Sequence, residues 1–152
     1  MSQVKTYTLP PRERLRLHGR AYRAQQRNHF EVGGLLLADR RDHLCLVFVK
    51  NRSNRPYHYE VELGEIQRVL ASLGGGKASI IGTFHSHPIG KATLSRGDKE
   101  ACAVGQLTLV YDVSRKEARL WRVRTKDGRR QAIEVDLARD PGLDRPKAAR
   151  VR

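Results

Sequence analysis

Two histidines stand one residue apart in the stretch FHSHP, and a serine and an aspartate follow at short intervals: His85, His87, Ser95 and Asp98. The group comes directly after the apolar run ASIIGTF. Side chains two apart on a strand share a face, so the imidazoles of His85 and His87 can converge on one ion. Asp98, in the first turn of a following helix, can return a carboxylate oxygen across the loop. Two nitrogens and one oxygen suit Zn²⁺, and three protein ligands leave the fourth tetrahedral position for water, as in catalytic rather than structural zinc sites. Zinc lowers the pKa of such a water towards about 7 and polarises a carbonyl. That chemistry needs a proton acceptor. Glu31 opens the apolar run HFEVGGLLL and is the candidate to take the water's proton and pass it to a leaving amine. Ser95 is the candidate donor to the oxyanion. Gly33 and Gly34 would let a neighbouring element approach closely.

Each residue also has a plainer reading. A histidine pair of this spacing is most often a surface or core feature. Ser95 reads as a helix N-cap, and Asp98 three residues on completes a capping box and complements the helix dipole. Glu31 alone says almost nothing. His29, His43 and His58 read as solvent-facing or hydrogen-bonded. Only the combination, in a strand–loop–helix setting, points to a metal.

The elements that must hold these residues are legible in the hydrophobic pattern. Leu9 to Asn28 has helical spacing, with Leu15, Ala21 and Tyr22 on one face and arginines opposite. Val32 to Ala38 and the run HLCLVFVKN form a hairpin across Asp39 to Asp42. Pro56 argues against a central strand in NRSNRPYHYEV. Leu63, Ile66, Val69, Leu70 and Leu73 mark a second helix, ended by GGGK. ASIIGTFHSH is the third strand, stopped by Pro88. A short helix begins after Ser95, and QLTLVYDV, EARLWRVRT and RQAIEVDL supply three more strands. The order describes an α+β domain, a mixed central β-sheet flanked by helices, over residues 1–137. Residues 138–152 read as a basic, flexible tail.

The pattern Glu31…His85-Ser-His87-Pro-x6-Ser95-x-x-Asp98 resembles the signature of the JAMM (MPN+, JAB1/MPN/Mov34) metalloprotease family in a minimal prokaryotic form. The resemblance covers Leu9 to Val135 and implies the JAB/MPN fold, which has a cytidine-deaminase-like architecture. It implies that His85, His87 and Asp98 hold one Zn²⁺ with a bound water, that Glu31 is the general acid/base, and that Ser95 stabilises the tetrahedral intermediate. It also implies hydrolysis of an isopeptide or peptide bond at the C-terminal tail of a ubiquitin-like protein. An extended Gly-Gly tail would be able to add as a strand beside the sheet edge. Seven residues separate His87 from Ser95, which leaves no room for a large insertion. Thr83-Phe84 departs from the aromatic pair common in relatives. The other readings are a non-catalytic MPN-type scaffold and a RadC-like nucleic-acid-associated protein, although that branch usually carries asparagine where Ser86 stands.

The 152 residues fit one domain with a real core. A net charge of +14 raises encounter rates with an acidic protein partner and attracts nucleic acid non-specifically, or it is a solvated surface. No aromatic ladder interleaves the cations as in a single-strand binder. No apolar run approaches the ~20 residues that span a bilayer, and no secretory signal is visible, so a cytoplasmic location without membrane contact is expected. Cys45 and Cys102 are expected to be buried and reduced rather than bridged.

Overall fold

A computed structural model describes residues 5–27, 29–53, 55–56, 59–73 and 78–138. In chain order the elements are β1 (Tyr7–Thr8), α1 (Pro11–Gln26), β2 (Gly33–Ala38), β3 (Leu44–Val49), α2 (Leu63–Leu73) and β4 (Ser79–His87). They continue with α3 (Arg96–Ala101), β5 (Leu107–Asp112), β6 (Glu117–Lys126), β7 (Arg129–Val135) and β8 (Leu137–Ala138). One six-stranded sheet runs β3-β2-β4-β5-β6-β7. Its β4–β5 pair is parallel and its other pairs are antiparallel. The expected α+β class and mixed sheet are what is observed.

The sheet is covered on both faces because its central strands carry apolar residues at consecutive positions. Leu36, Leu46, Phe84, Leu109 and Leu120 point to the face under α1, where they meet Leu17 and Ala21. Leu35, Leu37 and Val49 point the other way, towards Ile66 and Val69 of α2. On that second face Val110 and Val123 meet Ala92, Leu94 and Cys102 from the loop before α3 and from its end. Each fully buried aliphatic side chain contributes about 1.5–3 kcal/mol. The helices α2 and α3 are the two crossovers into and out of β4, and both lie on the second face. The end of β4 therefore opens into a space between them.

Several expectations need correction. The inward face of α1 is Glu13, Leu17 and Ala21, while Leu15 is 70% exposed and Tyr22 50%. Glu13 is buried because its carboxylate accepts the N–H of Leu46 at 2.7 Å, a main-chain donor on the outer side of edge strand β3. Arg16 donates to the same carboxylate at 2.9 Å. Cys45 and Cys102 are both free thiols, but only Cys102 is buried; Cys45 is exposed on edge strand β3. The short strands β1 and β8 carry no periodicity to read. They pair in parallel, Tyr7 with Leu137 and Thr8 with Ala138, so Ala138 is held in a strand rather than starting a tail. β4 lies between β2 and β5, and the two edges of the six-stranded sheet are β3 and β7. The GGGK helix stop, His58 and the tail beyond Ala138 lie outside the described residues. Among the described residues, no helix is long and apolar enough to cross a membrane.

Candidate metal centre

Four segments meet at the end of β4. His85 and His87 face the α2–α3 side, in register with Val110 and Asp112 of β5. The loop after Pro88 is tied down at several points. His87 Nδ1 donates to the Lys91 carbonyl at 2.9 Å, Trp121 Nε1 donates to the Ala92 carbonyl at 2.8 Å, and Gln25 Nε2 of α1 donates to the Pro88 carbonyl at 3.1 Å. Ala92 and Leu94 are buried beneath it. This anchored loop delivers Ser95 as the N-cap of α3. Asp98 N–H donates to Ser95 Oγ at 3.0 Å, and Asp98 Oδ2 accepts from Ser95 N–H at 2.9 Å. The capping box expected from the sequence is thus present, and it aims the Asp98 carboxylate back at the histidines.

The donor atoms of the three residues form a small triangle. His85 Nε2 and His87 Nε2 are 3.1 Å apart, and each lies 3.2 Å from Asp98 Oδ2. They are a group able to hold a metal ion among the described residues. The edges approach the roughly 3.3 Å expected between donors about 2.0–2.1 Å from a tetrahedral zinc. The donor chemistry fits as well. Because His87 Nδ1 is committed as a donor to a carbonyl, the neutral ring presents a lone pair at Nε2. A carboxylate oxygen is also acceptor-only. With the ring neutral these two acceptors point at one another, an arrangement that either a proton on Nε2 or a cation between them satisfies.

The electrostatics keep the Asp98 carboxylate in the charged form that attracts a cation, and they raise the affinity of the His87 ring for a proton. Burial would raise the Asp98 carboxyl, but hydrogen bonds from the two imidazoles and from the Ser95 N–H hold it well below the usual carboxylate range. Burial pushes the His87 imidazole down, and Asp98, the Lys91 carbonyl and Glu31 together more than reverse this.

Glu31 reaches the same cleft from just before β2. Its neighbour Val32 is locked to β4: Val32 N–H donates to Ser86 Oγ at 2.9 Å and Ser86 N–H donates to the Val32 carbonyl at 2.8 Å. Asn51 Nδ2 holds the Glu31 carbonyl at 2.9 Å. Glu31 is only 8% exposed. Its carboxyl is shifted upwards, mainly by burial, with the two histidines pulling it partly back.

The cleft occupies about 740 Å³ and is lined by all five candidate residues together with Tyr59, Thr83, Lys91 and Gln106. A shallower groove continues from it over Leu35 and Ile80, sharing Thr83 and Gln106 as walls. A bulge where Leu36 and Leu37 face Gly82 and Ile80 turns Ile80 onto this face.

Sequence reasoning passed over three residues of this neighbourhood. Ser86, fully buried, was visible only as the spacer between the histidines, yet it fixes the strand that carries Glu31. Tyr59, within a segment that reads as irregular, donates its hydroxyl to the Val49 carbonyl at 2.8 Å and packs over Gly33. A Cβ at Gly33 would lie 2.8 Å from the Tyr59 ring and 2.6 Å from the Phe84 carbonyl oxygen, which is the close approach the glycine permits. Burial, with Glu65 nearby, shifts the Tyr59 phenol far upwards, so it stays a donor. Trp121 reads as an ordinary strand residue, and its indole turns out to hold the loop.

With this geometry in hand, the chain can be set beside known proteins. No curated protein is significantly similar to it in sequence. The solution structure of protein DSY2949 from Desulfitobacterium hafniense superposes with a TM-score of 0.71 at 21% identity, covering 92% of this chain and 96% of that one. AF2198, a JAB1/MPN domain protein from Archaeoglobus fulgidus, superposes with a TM-score of 0.50 at 13% identity, covering 90% and 100%. At these identities the likeness is one of fold. The model of prokaryotic homologs of the JAB domain matches residues 16–124, which include Glu31, His85, His87, Ser95 and Asp98. The chain belongs to this prokaryotic JAB domain family.

Proposed function

We propose that this protein is a zinc-dependent isopeptidase or peptidase that hydrolyses the bond at the C-terminal tail of a ubiquitin-like protein. The observation that carries the reading is the convergence of His85, His87 and Asp98 within 3.2 Å of one another in a cleft that also receives a buried Glu31.

His85 Nε2, His87 Nε2 and Asp98 Oδ2 would hold the zinc. A zinc ion bound there supplies Lewis acidity, acidifying water and polarising a carbonyl. The remaining work falls to this chain's own groups. Glu31 accepts a proton from the attacking water. The water oxygen bonds to the carbonyl carbon, the C–N bond breaks, and Glu31 returns the proton to the departing amine. Its raised proton affinity suits it to both halves of that exchange. Ser95 Oγ already accepts from Asp98 N–H, so its own O–H proton is free to be donated to the oxyanion.

The register supports an orientation for the substrate in the cleft. Val32 faces Ser86, which places Glu31 level with His87, at the end of β4 nearest Lys91. The leaving amine belongs at that end. The acyl tail then runs back across the face of β4, past Thr83 and Gln106 towards Ile80, lying on the sheet rather than adding to an edge.

The test is incubation of the zinc-loaded protein with ubiquitin-like proteins extended beyond a Gly-Gly tail, with products read by mass spectrometry. Cleavage after the tail, lost on chelation, restored by zinc and abolished in Glu31→Gln, is the expected result. Chelation without effect, or Glu31→Gln acting at the wild-type rate, overturns the reading.

A further inference from the structure

Apart from Trp121, which holds the loop before α3, the proposed hydrolysis makes no use of the hairpin formed by β6 and β7, yet this hairpin holds a dense run of cations. Its register pairs Arg122 with Ile133, Arg124 with Gln131, and Lys126 with Arg129. Directly paired residues share a face, and so do residues two apart along a strand. Arg122, Arg124, Lys126 and Arg129 therefore stand together on one face, and all four are exposed. The Nε of Arg124 donating to Gln131 Oε1 at 3.1 Å agrees with that assignment. The opposite face is different. Val123 is buried there, Arg130 donates to carbonyls of Lys99 and Cys102, and Glu134 pairs with Arg119 at 3.7 Å. Between residues 122 and 133 the single carboxylate is Asp127, in the turn at the tip.

The basic face continues the side that carries Leu120 and Val135, which belong to the core under α1. The candidate metal centre lies on the other side of the sheet. The cationic face is thus separate from the cleft and can be occupied while the cleft is in use.

We propose that this face binds the phosphate backbone of a nucleic-acid duplex, without sequence preference. The chemistry of the face selects among polyanions. Three of its four cations are arginines, whose planar fork matches phosphate in a bidentate way. The face has no aromatic side chain, and its one aliphatic residue, Ile133, is partly buried. Binding of a single strand relies on bases stacking on aromatics, and protein interfaces rely on aromatic or apolar anchors. Neither is offered here. A row of cations at about 6.7 Å intervals along β6, on a two-stranded ribbon narrow enough for a groove, is what a duplex backbone requires.

The experiment measures binding of the full chain to a labelled duplex of arbitrary sequence, as DNA and as RNA, by fluorescence anisotropy at several salt concentrations. Four phosphate contacts to B-DNA predict a slope of log K against log salt of about −3.6, or roughly 150-fold weaker binding between 50 and 200 mM salt. The pair Arg124→Gln with Lys126→Gln halves that slope, to about −1.8. A control pair, Arg68→Gln with Arg96→Gln, removes the same charge from exposed sites on α2 and α3 and leaves the slope in place. Thermal melting shows that each variant is folded. DNA and RNA duplexes responding alike point to the phosphates, and a preference for one form identifies the source. Four outcomes overturn the proposal: no binding at 50 mM salt, tighter binding of a single strand, an equal loss in the control pair, or displacement of the duplex by polyglutamate at matched charge, which would make the occupant an acidic protein.

Discussion

Replacing Ser86 by alanine tests how Glu31 is held at the cleft. The Ser86 side chain is fully buried, and its Oγ accepts the Val32 N–H at 2.9 Å. Alanine leaves the reciprocal bond from Ser86 N–H to the Val32 carbonyl intact, so strand pairing survives and one main-chain donor loses its partner. Leaving such a donor unpaired costs about 1–3 kcal/mol, and the partial burial of Val32 puts this site near the lower half of that range, about 1–2 kcal/mol. For a chain of this size that lowers the melting temperature by about 2–8 °C. The three candidate ligands His85, His87 and Asp98 are untouched, so zinc bound on the proposed reading stays at the wild-type stoichiometry. Glu31, one residue from the loosened bond, loses its fixed position, and displacements of about 1 Å in a reacting group cost up to ~10²-fold in rate. The assay is threefold: thermal unfolding with and without zinc, metal content by elemental analysis, and hydrolysis rate. A variant that melts like the wild type, or one that loses zinc in proportion to activity, refutes the argument that Ser86 acts on Glu31 through Val32.

Three further changes separate the roles at the site. Asp98→Asn keeps an acceptor for the Ser95 N–H and so preserves the α3 cap, but it removes the charge that the two imidazoles favour, so the metal-free protein is less stable at neutral pH and stoichiometric zinc is lost on dialysis. Glu31→Gln is more stable than the metal-free wild type at neutral pH. The folded-state pKa of Glu31 is raised, so its ionisation favours the unfolded chain, and the wild type loses stability as pH climbs from the ordinary glutamate range through the folded value. The advantage of Gln therefore vanishes in acid, which denaturant titrations at several pH values would reveal. Gly33→Ala places a methyl 2.6 Å from the Phe84 carbonyl oxygen and 2.8 Å from the Tyr59 ring, and costs about 1–3 kcal/mol by overpacking, visible as a lower denaturation midpoint.

Most of the sheet, and the grouping of His85, His87, Ser95 and Asp98 as candidates, could be read from the chain because both are local signals, whereas Glu31 carries none of its own. The runs that became β2, β4 and β5 are uninterrupted apolar stretches, and Ser95 with Asp98 is a cap detectable from spacing alone. What escaped depends on partners distant in sequence. The inward face of α1 begins with Glu13, and a carboxylate in an apolar stripe makes sense only once Leu46 N–H is known to await it. Reading hydrophobicity alone, Leu15 and Tyr22 looked like better core residues than they are. Cys45 was misjudged because nothing in the sequence says that β3 is an outer strand. Ser86 and Tyr59 carry no pattern, and their roles arise from hydrogen bonds made across 54 and 10 positions of chain. Two-residue strands such as β1 and β8 are too short for any period to be seen.

The Glu13 carboxylate has one more effect, on how copies of the molecule meet. Along the rim formed by β3, the donor at Leu46 is already taken, Thr8 bridges to His43, and the guanidinium groups of Arg16 and Arg20 lie 5.3 and 4.3 Å from the Phe48 ring centre. A stranger's backbone seeking to extend the ladder there would have to peel away a helix and strand a bare anion in oily surroundings. Crowded molecules are thereby kept as separate particles along that border, where an unguarded rim would invite them to zip into ribbons.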